Sequence, residues 1–260
     1  MPGDTSTGTF LQGLERGLAV IRAFSADTPS LTLSEVARDV GITPATARRI
    51  LLTLEQLGYV RSDGRRFSLT PRVLALGWAY LSSLDLGDIA GQFMEELSAK
   101  TRESCSIATL DLPDIVYVAR VPTSRIMTVA LGVGARLPAY VTSMGRVLLA
   151  GLPEDELSAY LSSFEAEALT QYTVTSVDDL RDVIAKADAD GYALVDQELE
   201  LGLRSIAVPI TDSRGRAVAA LNVSAHASRS TPESLREDVL EPLRECADQI
   251  GTALRRRGRI

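Results

Sequence analysis

Histidine is almost missing from this chain of 260 residues: His226 is the single imidazole, and it leaves no credible Ser-His-Asp set. Cysteine is nearly as scarce. Cys105 and Cys246 lie far apart, and the N-terminus joins no basic region to an apolar run. Neither a disulfide framework nor an export signal is expected. One histidine and two scattered cysteines cannot fill a tetrahedral zinc site without carboxylates, so no metal and no cofactor is expected. No stretch approaches the roughly eighteen uncharged apolar residues that cross a bilayer, and a cytoplasmic protein is expected. No glycine-rich phosphate loop exists either, because GVGAR (132–136) lacks both the spacing and the following helix.

What is present is ordinary in amount and uneven in placement. Hydrophobic residues make up 45% and charged residues 23%, as in soluble globular chains. The length suits one large domain or two smaller ones. Net charge is −7, yet residues 1–85 hold nine arginines against eight carboxylates while residues 86–260 hold eighteen cations against twenty-six. The acidity therefore belongs to the C-terminal part, and the N-terminal arginines cluster where a nucleic-acid contact would want them.

The stretch TLSEVARDVGITPATARRILLTLEQLG (32–58) predicts two helices and a tight turn. Thr32 and Glu35 have capping-box spacing, and Leu33, Val36, Ala37 and Val40 give one apolar face. Gly41 ends the first helix. Thr43 and Pro44 open the second as N-cap and first-turn proline. Ala47, Ile50, Leu51, Leu54 and Leu57 face inward, which leaves Thr43, Pro44, Ala45, Thr46, Arg48 and Arg49 on the outer N-terminal half. That half is shaped for a DNA major groove. Alone, the pattern equally describes a helical hairpin with a solvated basic face.

Its flanks favour DNA. Residues 1–9 lack core formers and read as a disordered tail. Leu11, Leu14, Leu18, Ile21 and Phe24 predict a helix packed beneath the other two. After Gly58, YVR and RFSL flank Asp63-Gly64 as a hairpin, with Arg61, Arg65 and Arg66 at or beside its tip. Three helices and this hairpin make a winged helix-turn-helix whose wing meets phosphates or the minor groove. The segment RVLALGWAYLSSL that follows is apolar almost all round and must be covered. A partner chain is the favoured cover, and the C-terminal domain is the alternative.

From residue 87 the pattern predicts an α+β domain. SCSIATLDL and IVYVARV form a hairpin, and IMTVAL adds a third strand. Ser143 opens a helix, PEDELSAYL and Val177–Asp190 form two more, and YALVD, SIAVPIT and AVAALNVSAH are strands. A long helix follows from about Pro232. The carboxylates of DQELE (196–200) are either an acid/base pair or, more simply, a solvated loop. In LNVSAHA, Asn222 and Ser224 share a face opposite Leu221, Val223 and Ala225. Ser205 sits among apolar neighbours in SIAVP. Ser143 and Met144 stand at a helix N-terminus suited to an anion. Together these predict a ligand pocket.

Four segments resemble the IclR family of transcriptional regulators: residues 16–60, LPAYVTSMGRVLLA (137–150), DQELELGLRSIAVPI (196–210) and LNVSAHASR (221–229). The last two are most similar to the branch that controls the β-ketoadipate pathway, the protocatechuate and 4-hydroxybenzoate regulators. The resemblance implies a DNA-binding domain over 10–71, a linker and dimerisation helix over 72–86, and a GAF-like (profilin-like) effector domain with an antiparallel sheet over 87–260. It implies operator DNA and a small organic acid as partners, and a homodimer or dimer of dimers. The effector, such as protocatechuate, 4-hydroxybenzoate or β-ketoadipate, would touch Ser143, Met144, Leu203, Ser205, Asn222 and Ser224. Ile126, Val129 and Leu137 would form apolar walls. A regulator answering to a keto acid such as pyruvate or glyoxylate is the alternative, and a catalytic GAF-like protein a remote one.

Overall fold

The computed structural model describes residues 10–25, 27–84, 86–123 and 132–256, with backbone alone for 81–84 and 86–88. The strand expected at 126–131, with Ile126 and Val129, and the expected tail at 1–9 lie outside the described residues. The chain divides after Tyr80 into two compact units. That boundary falls inside the helix assigned to the linker.

The first unit holds α1 (Gln12–Arg22), β1 (Ser30–Thr32), α2 (Leu33–Val40), α3 (Pro44–Gln56), β2 (Val60–Ser62) and β3 (Arg66–Leu69). The Thr32 hydroxyl accepts from the Glu35 amide, and the Glu35 carboxylate accepts from the Thr32 amide at 2.7 Å, so the capping box is complete. Gly41 ends α2 at φ +69°, a left-handed conformation that costs glycine little. Val20, Phe24, Val36, Ala47, Leu51, Leu54 and Val60 make the core.

Two features differ from expectation. The three residues just before α2 add a strand to the expected two-stranded hairpin. β1 pairs antiparallel with β3, giving a three-stranded wing of order β1-β3-β2. The second difference lies in and around α1, where Leu11, Leu14 and Leu18 of the expected stripe are exposed, while Phe24 of that stripe is buried as expected, with Val20 beside it. Gly13, Arg16 and Gly17 line a groove shared with Thr46, Arg49 and Ile50 of α3. The 13-16-17-20-24 spacing is itself helical, so α1 carries two faces, and the more apolar one points away from this core.

α4 (Leu74–Leu84) crosses the division between the units. The second unit continues with α5 (Leu86–Thr101), β4 (Ser104–Asp111), β5 (Asp114–Val121), β6 (Arg136–Pro138), α6 (Ser143–Ala150), α7 (Glu154–Ser162) and α8 (Val177–Asp190). Then come β7 (Ala193–Asp196), β8 (Leu203–Thr211), β9 (Ala217–His226), the single turn α9 (Pro232–Ser234), a π-helical stretch (Leu235–Val239) and α10 (Leu240–Arg256). The strands form one antiparallel sheet of order β6-β5-β4-β9-β8-β7.

Helices cover both faces of this sheet. On one side, Leu97 of α5 and Leu243 and Ile250 of α10 pack on Cys105, Ile107, Ile206, Val208, Leu221 and Val223. On the other, α6, α7 and α8 bring Met144, Leu148, Leu161, Leu180 and Ile184 against Ala108, Ala207 and Ala220. Gly145 permits this second layer, because a Cβ there would lie 2.0 Å from the Ala139 carbonyl oxygen. Cys105 and Cys246 share the first core, and burial pushes both thiols up to about 12.

Candidate functional site: a DNA-reading face and a polar sheet face

The outer half of α3 is built by its cap. The Thr43 hydroxyl accepts from the Thr46 amide at 3.2 Å and lies 2.9 Å from the Thr46 hydroxyl, so both side chains are partly spent on the helix start. Thr43, Pro44, Ala45, Arg48 and Arg49 are exposed, opposite buried Ala47, Leu51 and Leu54. Among the described residues neither Arg48 nor Arg49 is in an ion pair, which leaves two guanidinium groups available to an outside partner.

The wing arginines have unlike roles. Arg61 and Arg65 are exposed, and Arg65 rides on a turn in which the Asp63 carboxylate accepts from the amides of Arg66 and Arg65. Those two amides hold Asp63 below the usual carboxylate range. Arg66 points back into the domain. It donates to the Ser30 hydroxyl at 2.9 Å and the Ser30 carbonyl at 2.7 Å, and lies 3.6 Å from Glu35. Its first task is therefore to bind β3 to β1 and to the start of α2. Glu35 is held low first by the Thr32 amide and hydroxyl, with Arg66 and Arg38 adding to the effect.

In the second unit the sheet register gathers a polar patch. Arg120, Ser106, Asn222 and Ala207 stand directly across from one another on β5, β4, β9 and β8. Two residues along, Ser104, Ser224 and Ser205 form a parallel row. Directly opposed residues share a face, so this is the side covered by α6, with Leu221, Val223 and Ile206 on the reverse. The Ser143 hydroxyl donates to Ser205 at 2.9 Å, and the Asn222 amide nitrogen donates to Ser224 at 3.1 Å. Asn222 is 3% exposed, and its Oδ1 has no partner among the described residues. A buried amide oxygen without a donor is costly and calls for one.

The structure thus brings together Ser143, Leu203, Ser205, Asn222 and Ser224. Met144 lies fully buried in the core beneath α6, near the patch in sequence but turned into the packing. Leu137 does not reach the patch. It pairs with Ile115, which pairs with Leu110, on the order of 14 Å along β4 from Ser106. Ser104, Ser106 and Arg120 were missed by sequence reasoning. Their signal was available in SCSI, which alternates as LNVS does, and in the lone arginine of the apolar run VYVARV.

Comparison with known proteins follows the same division. The profile of the IclR helix-turn-helix domain matches residues 13–64, and that of the bacterial transcriptional regulator IclR C-terminal domain matches residues 78–252. The chain belongs to the IclR family. It is 46% identical to the Pca regulon regulatory protein of Pseudomonas putida over 91% of this chain and 81% of that protein. A candidate transcriptional regulator from Rhodococcus sp. RHA1 has a solved structure with 54% identity and a TM-score of 0.83, covering 95% of this chain and 99% of that one. An IclR homolog from Microbacterium hydrocarbonoxydans, solved with 4-hydroxybenzoate, shares 27% identity at a TM-score of 0.82 over 94% and 99% of the two chains. This IclR-family protein is a DNA-binding transcriptional regulator with a separate effector domain.

The acidic loop of this IclR-family chain is neither an acid/base pair nor simply solvated. Asp196 pairs with Arg204 at 2.6 Å. Glu198 is buried, and both its oxygens accept from Arg146, whose Nε donates to the Tyr140 carbonyl at 3.0 Å. The Val174 amide also donates to Glu198. His226 bonds locally to Ser228. Among the described residues no three His, Cys, Asp or Glu side chains gather as metal ligands, and no helix is long and apolar enough to cross a membrane.

Proposed function

We propose that this regulator reads its operator with Thr43, Pro44, Ala45, Thr46, Arg48 and Arg49 of α3, and grips phosphates through Arg61, Arg65 and the outer edge of Arg66. A small carboxylic acid of aromatic catabolism, bound at the polar face of the six-stranded sheet, controls that reading. The observation that carries the effector site is the buried, unpartnered Asn222 Oδ1 standing among Ser143, Ser205 and Ser224. The relatives support the ligand class: one serves the Pca regulon, and another was solved with 4-hydroxybenzoate. Leu203, and Ile126 and Val129 from the segment before β6, supply apolar walls.

The working unit is a homodimer or dimer of dimers in the cytoplasm. Its contact is built from the exposed apolar side of α1 (Leu11, Leu14, Leu18) and from Leu74, Leu76 and Trp78 of α4, all exposed in the single chain. Residues 10–71 read DNA, 72–86 pair the chains and 87–260 sense the acid. Fluorescence anisotropy on a duplex from the gene's own upstream region, with and without 4-hydroxybenzoate or 3,4-dihydroxybenzoate, tests the reading. A several-fold change in affinity with one acid is expected. Identical curves with every acid would overturn effector control, because a ligand acts only through its different affinity for two states.

A further inference from the structure

Between α7 and α8 runs a segment without helix or strand, 163–176, whose ties converge on one piece of the chain. The Tyr140 hydroxyl donates to the Glu167 carbonyl at 2.8 Å and accepts from the Glu167 amide at 3.1 Å. The Tyr140 ring meets the Phe164 ring edge-on, with centroids 5.2 Å apart. Thr170 donates to the Gln197 carbonyl at 2.7 Å, Thr173 to the Glu198 carbonyl at 2.7 Å, and the Val174 amide to the Glu198 carboxylate at 3.2 Å. Glu198 is held in turn by Arg146, which also reaches the Tyr140 carbonyl. Residues 139–146 form that piece, and it is stiff. Gly145 seats directly on the Ala139 carbonyl, the Thr142 hydroxyl accepts from the Gly145 amide at 3.0 Å, and Arg146 Nε closes back on Tyr140. Ser143 stands on the same piece, fully buried, and its hydroxyl donates to Ser205 on the sheet. One turn of α6 thus separates a contact at the polar patch from the ion pair behind the outer segment.

We propose that residues 139–146 act as a rocker that carries the state of the Ser143–Ser205 contact to the segment 163–176. An anion at the patch accepts the Ser143 proton that Ser205 now receives, so that contact opens. The first turn of α6 then shifts against the sheet. Arg146 does not absorb the shift by leaving Glu198, because stranding a buried charge costs far more than moving a surface segment. Glu198 follows, and Tyr140, on the same stiff piece, moves with it. The segment is thereby reset, together with Leu169 and Tyr172, which face solvent. What the patch senses becomes readable on the outside of the effector unit. The relay rests on the effector reading above for its input, while the ties that form it stand independently of any ligand.

Amide hydrogen exchange on the full chain, with and without saturating 4-hydroxybenzoate or 3,4-dihydroxybenzoate, tests the relay, and calorimetry measures the binding itself. Exchange across 164–175 should change by at least about threefold on binding, while α10 stays as it was. Arg146→Met with Glu198→Leu keeps the interior filled but cuts the link. It should bind the acid within about threefold of wild type and lose the response in 164–175. Tyr140→Phe with Thr173→Val leaves the ion pair intact and cuts two ties at the segment itself. That variant should exchange faster there without acid, and its response to acid should shrink at least about twofold. A purely structural ion pair would lower the melting temperature when replaced and leave the response in place. Wild type that binds an acid with no change in 164–175, or an undiminished response in either variant, would overturn the relay and leave the effector site standing. Failure of wild type to bind either acid would overturn the effector reading itself.

Discussion

Removing the carboxylate of Glu198 should be among the most damaging single changes in the effector unit. Arg146 is 3% exposed and gives two nitrogens to Glu198. Glu198→Ala would leave that guanidinium in the interior with only the Tyr140 carbonyl for company. Breaking one side of a buried pair costs about 3–5 kcal/mol. For a unit of this size that is a fall of roughly 6–20 °C in melting temperature. The Val174 amide loses its acceptor too, whereas the Thr170 and Thr173 hydroxyls, which donate to the main-chain carbonyls of Gln197 and Glu198, keep theirs. Replacing both partners at once, Arg146→Met with Glu198→Leu, removes the stranded charge and should return to within about 2 kcal/mol of wild type. Urea unfolding followed by circular dichroism, with the slope checked for constancy, measures both. A Glu198→Ala loss below about 1 kcal/mol, or a double variant as weak as the single, would show that the pair is not the tie described.

Arg48→Ala and Arg49→Ala should each weaken specific operator binding by about 1–3 kcal/mol with the fold intact; unchanged affinity of both at matched salt would contradict the α3 assignment. Arg65→Ala should weaken all duplexes alike and lower the salt slope by about 1, whereas Arg66→Ala should also lower the melting temperature of the DNA-binding unit, because Ser30 and Glu35 lose their partner. Trp78 is 67% exposed in the single chain, so Trp78→Ala should spare the monomer and reduce the mass seen in sedimentation; wild-type mass would mean that another element covers this helix. Cys105 and Cys246, with thiols pushed up to about 12, should resist iodoacetamide at pH 8 in the native protein and react on unfolding; rapid native labelling would contradict their burial.

Much of this was legible in the sequence, for local reasons. Thr32 with Glu35, Thr43 with Pro44, and the Val177–Asp190 helix are decided within a few residues, and each formed where expected. Long-range partners were less legible. β1 is only three residues and exists because β3 pairs with it. The stripe Leu11-Leu14-Leu18 looked like a core face because periodicity shows that a helix has an apolar side without saying what covers it. Glu198 looked solvated because Arg146, its partner, is 52 residues away. On the sheet, Asn222, Ser224 and Ser205 were found by alternation, but Arg120 gains its meaning only from a register that sets it across from Ser106.

A strand buried on both sides divides the labour of its residues by parity. On β9 the even positions 222 and 224 face the patch, and the odd positions 221, 223 and 225 belong to the α5–α10 packing. On β4 the patch takes 104 and 106, and on β8 it takes 203 and 205. Chemical preference and folding strength are therefore written on separate, interleaved letters of the same words. On the effector reading proposed above, exchanging a serine or the asparagine would re-aim the sensor toward another acid while every residue that holds α5 and α10 stays in place. A regulator built this way can change its signal in single steps, and divergence among its relatives in what they sense should concentrate at Ser104, Ser106, Arg120, Ser205, Asn222 and Ser224.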